Sequence, residues 1–169
     1  MTASPPPGSG TDSAPDNGPV RPVLALALAT VTFFALLIFG LGMTSLIADQ
    51  DVIATPGLGQ IPGITGTVLA TGAFAAGLWA AVRRPPAAYI GALWTAVACF
   101  LAYVLGVWLG ALFSGAGLAV STAVAGRIAT SWFGLVVAVA GALAAWGGIA
   151  LVRTRAQRPR WPWEDEFDE

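Results

Sequence analysis

The chain has 169 residues, 56% of them hydrophobic and only 10% charged, against about 25% charged in a soluble domain. A mean hydropathy of +0.75 is too high for a soluble core of this size, so lipid must solvate part of the molecule. The net charge of -1 hides a segregation: every basic residue is arginine, histidine is absent and Cys99 is the single cysteine, which excludes an intramolecular disulfide and any ordinary zinc, haem or iron–sulfur ligand set.

Residues 1–20, MTASPPPGSGTDSAPDNGPV, are rich in Pro, Gly, Ser and Asp and show no apolar periodicity. Such a segment cannot bury enough surface to offset its ordering entropy, so it is expected to be a disordered tail. Arg21-Pro22 opens the first span, with proline suited to the first helical position. The run from 23 to 48 carries no charge. It exceeds the roughly 7–15 apolar residues of a secretory signal, and the segment before it holds Asp12 and Asp16 with only one arginine. It therefore reads as a permanent span.

Asp49-Gln50-Asp51 ends that span. Pro56, Gly57, Gly59, Pro62 and Gly63 crowd the next dozen residues, a density of turn formers that makes a loop. Its Val52-Ile53 and Leu58 are placed to lie against the membrane surface. A second span is expected at about 64–82. Arg83-Arg84-Pro85-Pro86 follows, and two prolines in so short a connection break the helix and fold spans two and three into an antiparallel hairpin. The third span runs over about 87–113. Residues 114–126, SGAGLAVSTAVAG, are small and uncharged, and read equally as a loop, a short interfacial helix or an early start to the fourth span, at about 128–152. The expected organisation is a disordered tail (1–20), a four-span all-α membrane domain (21–153) and a cytoplasmic Arg/Trp/acidic tail (154–169).

Orientation follows from arginine placement, since arginine and lysine near span ends favour the cytoplasmic side. With the N-terminus inside, Arg21, Arg83, Arg84, Arg153, Arg155, Arg158 and Arg160 fall inside and only Arg127 outside. Both termini are therefore expected in the cytoplasm of a cell-membrane protein. Trp79 and Tyr89 would mark the inner boundary and Trp132 the outer one, with Trp161 and Trp163 at inner headgroup level.

The spans hold no Asp, Glu, Lys, Arg or His. Intramembrane ionisable residues mark proton relays and ion paths, so their absence argues against a pump, a proton-coupled transporter or an intramembrane hydrolase. No catalytic, cofactor-binding or metal-binding residue is assigned, and no nucleic-acid partner is expected. What the spans do carry is small residues. Ala98, Ala102, Gly106, Gly110 and Ser114 recur every four residues, as do Gly126, Thr130, Gly134, Ala138 and Ala142, while the second span has Ala73, Gly77 and Ala81. Small side chains let helix backbones approach closely. Either such a row packs within the bundle, or Gly106 and Gly110 face another protein. The span hydroxyls, among them Thr30, Thr65, Thr71, Thr95 and Thr130, are expected to bond the carbonyl one turn back. Asp49 or Asp51 would clasp Arg127 if the first and fourth spans were neighbours at that end, but an exposed pair of this kind contributes only about 0–1 kcal/mol. In the tail, four arginines attract anionic headgroups at about 1 kcal/mol each, and the acidic end from Glu164 to Glu169 offers a surface to a basic partner.

The exit from the first span (GMTSLIADQDVI), Gly126-Arg127 before the fourth and the ending RPRWPWEDE together resemble an uncharacterised family of small four-span membrane proteins from actinobacteria. The resemblance covers about residues 21–166. It implies architecture, and no catalytic or binding residue. The expected function is that of a non-enzymatic accessory or scaffolding subunit of a membrane complex, with a small oligomeric transporter, channel or lipid-interacting protein as the alternative.

Overall fold

A computed structural model describes residues 22–53, 57–83 and 89–154. The N-terminal tail, Arg84-Pro85-Pro86 and the Arg/Trp/acidic tail lie outside the described residues. Among those described, the chain is wholly helical: α1 (Pro22–Ala48), α2 (Ile61–Val82), α3 (Ile90–Phe113), α4 (Leu118–Thr130) and α5 (Trp132–Thr154). All but α4 are long and apolar enough to cross a membrane, as the charge-free runs imply.

The helix ends have local causes. At the end of α1 the Gln50 N–H donates to the Ser45 carbonyl at 3.2 Å, and Asp49 takes a φ of 48°. This is the left-handed cap that closes many helices, built here on aspartate where glycine is usual. The Ser45 hydroxyl donates to the Gln50 carbonyl at 2.7 Å and tightens it. α3 ends in the same way, with Gly115 at a φ of 86° and the Ala116 N–H donating to the Ala111 carbonyl at 3.1 Å.

Residues 114–126 prove to be mostly helix, and the fourth span begins later than expected. α4 runs to Thr130, where Ser131 adopts extended backbone. Both the N–H and the hydroxyl of Ser131 donate to the Ile128 carbonyl, at 3.2 and 3.0 Å. That arrangement satisfies the end of α4 and turns the chain into α5 at Trp132. The four-residue row from Gly126 to Ala142 is therefore cut between two helices. The other boundaries shift less: α2 starts at Ile61, with Pro62 in its first turn, and α3 starts at Ile90.

The four long helices form a ring in the order α1, α2, α3, α5, with α5 also touching α2; α1 and α3 are not in contact. α4 leans on α3 and α5 from outside, tied by the Trp108 indole N–H, which donates to the Thr122 hydroxyl at 3.2 Å. α1 and α2 each bury one row with a step of four: Ala25, Ala29, Phe33 and Leu37 on α1, and Pro62, Gly66, Ala70, Phe74 and Leu78 on α2. These rows meet Tyr103, Val107, Val137 and Ile149 in the centre. Gly148 of α5 is the junction, because a Cβ there would stand 3.0 Å from both Ala29 and Leu78.

Two ends can now be named. At the arginine end, the Arg83 guanidinium lies 4.4 Å over the Trp79 ring and that of Arg153 lies 4.7 Å over Tyr89. The second contact brings the end of α5 to the start of α3. Asp49, Asp51 and the α1–α2 loop form the opposite, aspartate end.

Candidate functional site

The helix pairs around α2 differ. Against α3 the approach is close along the whole length. A Cβ on Gly106 would lie 2.6 Å from the Gly66 Cα, one on Gly110 2.6 Å from the Pro62 Cα, one on Gly77 3.1 Å from the Thr95 hydroxyl, and one on Gly91 2.8 Å from the Ala81 Cβ. The Thr65 hydroxyl joins the two helices, 2.9 Å from the Gly106 carbonyl. It also reaches the Ile61 and Pro62 carbonyls, at 2.9 and 3.1 Å, and its single proton serves one of the three at a time. Gly106 and Gly110 are thus buried within the bundle and present no surface to another protein. Of the other hydroxyls, those of Thr30, Thr32, Thr71, Thr95 and Thr130 donate as expected to the carbonyl four residues back at 2.8–2.9 Å, whereas that of Ser45 bonds forward to Gln50 and those of Thr44 and Thr67 bond no described residue. Cys99 packs against Gly141 of α5 as a small apolar residue.

Against α1, α2 touches at bulky side chains. The Phe33 and Phe74 rings stack with centroids 4.5 Å apart. From there toward the aspartate end α1 and α2 diverge, and the loop between them folds back into the gap. Leu58 is buried in the core, and Ile53 packs over Gly63, where a Cβ would lie 3.6 Å from its Cδ1. Leu58 is therefore buried between the helices and not laid against the membrane surface, while Val52 and Ile53 stand half-buried on the rim of the gap.

What remains is a lateral groove of about 580 Å³, within the range of about 300–1,000 Å³ usual for ligand sites. Phe34, Ile38 and Leu41 of α1 form one wall, Ile64, Thr67 and Val68 of α2 the other, and Asp51, Val52, Ile53, Gly59 and Gln60 the rim. Tyr103 of α3 forms the floor. It reaches the groove past Gly66, where a Cβ would meet its ring at 3.2 Å. Tyr103 is 1% exposed. Its phenol has no hydrogen-bond partner among the described residues, yet the oxygen is not among the enclosed atoms, so it opens on the groove. Phe34, Ile38, Ile64 and Val68 are 45–63% exposed, so the groove is continuous with the lipid-facing surface.

A second hollow, of about 300 Å³, lies between α1 and α5 around Gly40 and Val136 and is lined by apolar side chains and Gly40. It offers nothing that would orient a ligand.

The first and last spans are neighbours, as the conditional clasp required, but the clasp does not form. No ion pair joins Asp49 or Asp51 to Arg127, because Arg127 sits in the last turn of α4, a helix that does not touch α1. A cation at that position is favoured by the helix dipole. Sequence reasoning missed the groove residues, Tyr103 above all. The available signal was that, of two tyrosines, Tyr89 falls at a span boundary whereas Tyr103 stands mid-span. A buried phenol ordinarily finds a partner.

The model of a family of unknown function (DUF6121) matches residues 21–169, and the chain belongs to that family. No curated protein matches the chain, and no solved structure does.

Proposed function

We propose that this is a non-enzymatic, multi-pass protein of the cell membrane, with both termini in the cytoplasm, that holds a membrane amphiphile in the groove between α1 and α2. One observation carries the reading: a phenol in the floor of a lipid-facing apolar groove, without a partner of its own. In a bilayer such a groove is filled by hydrocarbon, and its polar atoms select which hydrocarbon-bearing molecule stays. The arginine count supports the orientation, with seven residues on the inner side against Arg127 outside. Tests are direct. Purification in mild detergent followed by native mass spectrometry is expected to show a retained lipid. Thr67→Trp, which fills the groove from α2, should remove it while the helical content stays unchanged. Retention by this variant at the wild-type level would refute the site. Reporter fusions at residue 50 and at the C-terminus test the topology, and a cytoplasmic signal at residue 50 would invert it.

An accessory or scaffolding role is the second reading. It loses the Gly106 and Gly110 face to α2, and its remaining support is the acidic tail from Glu164 to Glu169. Affinity purification tests it: truncation after Trp163 should remove a stoichiometric partner if the tail docks one.

A further inference from the structure

The groove's polar groups are sorted by depth, and the sorting specifies a ligand class. We infer that the amphiphile is a glycerolipid with a primary-amine headgroup and ester-linked chains, an inference that rests on the groove being the amphiphile site proposed above.

Charge comes first. Among the described residues, Asp51 is the one charged side chain on the groove lining, and no arginine is there to meet a phosphate. A headgroup that is only anionic is repelled at this rim, and an ammonium is attracted. Gln60 stands on the same rim, exposed and making no helix-capping hydrogen bond with its side chain. Its amide can accept from the ammonium or donate to a phosphate oxygen.

Depth comes next. Tyr103 touches α2 at Gly66, six residues along the helix from Gln60, or about 9 Å at 1.5 Å per residue. At that depth the phenol can donate one hydrogen bond, and apart from Thr67 the side chains around it are apolar. An ester carbonyl is the acceptor that a lipid carries below its headgroup. Beyond it the walls are Phe34, Ile38 and Val68, suited to one chain, and deeper still the Phe33–Phe74 stack closes the seam. Headgroup, ester and chain thus meet carboxylate, phenol and hydrocarbon in order. The Thr67 hydroxyl, also on the lining and making no hydrogen bond to another described residue, adds a second polar contact at the ester level.

The test uses the full chain in detergent and native mass spectrometry with added phosphatidylethanolamine or phosphatidylglycerol of identical chains. The wild-type protein should retain the ethanolamine lipid about threefold better, the scale of an exposed charge pair. Asp51→Asn should abolish that preference and still bind lipid. Tyr103→Phe should weaken both lipids by about fivefold, the scale of one hydrogen bond, and an ether-linked ethanolamine lipid should bind the wild type as weakly as the ester lipid binds Tyr103→Phe. Equal retention of the two headgroups by the wild type, a preference that survives Asp51→Asn, or equal binding of ether and ester lipids would each overturn the assignment while leaving an amphiphile site in place. Retention of no lipid at all would overturn the site itself. Unchanged circular dichroism and melting in both variants separate binding from folding, since neither side chain makes a hydrogen bond to another described residue.

Discussion

Two of the interfaces that α2 makes are opposites. Toward α3 it presents Pro62, Gly66 and Gly77 and receives Gly106, Gly110, Thr95 and Gly91. Toward α1 it presents Phe74, and receives Phe33. Helices in lipid gain little from hiding apolar surface, because the surrounding chains are as apolar as leucine; they gain from dispersion and from hydrogen bonds across the contact. Small residues bring whole backbones into range and give a continuous seam. Large residues give contact at one point and let the helices part beyond it. A single helix thus contributes rigid support on one face and an open groove on the other.

Substitutions can break each side of this contrast. The largest effect is expected from Gly106→Leu. Its side chain would have to displace the α2 backbone at Thr65 and Gly66, at a cost of about 3 kcal/mol, the upper part of the overpacking range; unfolding in mixed detergent measures it. Phe33→Ala should cost about 2 kcal/mol in the same assay, below the roughly 3–5 of ring truncation in a closed core, because the void opens onto the groove and fills with lipid chain, and it should lengthen the groove where Gly106→Leu does not. Thr65→Val removes the hydrogen bond across the tight seam and is expected to cost about 0.6 kcal/mol, the average for interhelical hydrogen bonds in lipid. A double-mutant cycle on Asp51→Asn and Arg127→Gln should return a coupling of about zero within the usual scatter for separated sites. A coupling above about 0.5 kcal/mol would mean that α4 reaches α1 and covers the aspartate end.

The spans were legible because charge is so costly in lipid that its absence over twenty residues leaves few other readings. The α2–α3 hairpin was legible from Arg83-Arg84-Pro85-Pro86 and from the spacing of Gly106 and Gly110. Which way the Gly106 face pointed was not, since the pattern is the same whether the partner helix is the chain's own or another's. α4 was hidden because SGAGLAVSTAVAG has neither a charge nor a proline to mark an edge; Ser131 sets its boundary through hydrogen bonds to Ile128. The groove was the least legible part. Its walls, rim and floor come from Phe34, Asp51, Val68 and Tyr103, and their meeting depends on the loop packing Ile53 over Gly63 and on Gly66 admitting a ring from α3.

The close α2–α3 seam also bears on biosynthesis. α2 is the least apolar of the four long helices, and so the one least able to leave the translocation channel for lipid by itself. Its main partner is the next helix to emerge, so the two can partition together as a preassembled pair. α1 is in the reverse position. It is the most apolar and enters lipid readily, but the helix it packs on most extensively is α5, made last. Closure of the ring therefore waits until α5 has been made, and until then the inner face of α1 stays open to the surrounding lipid.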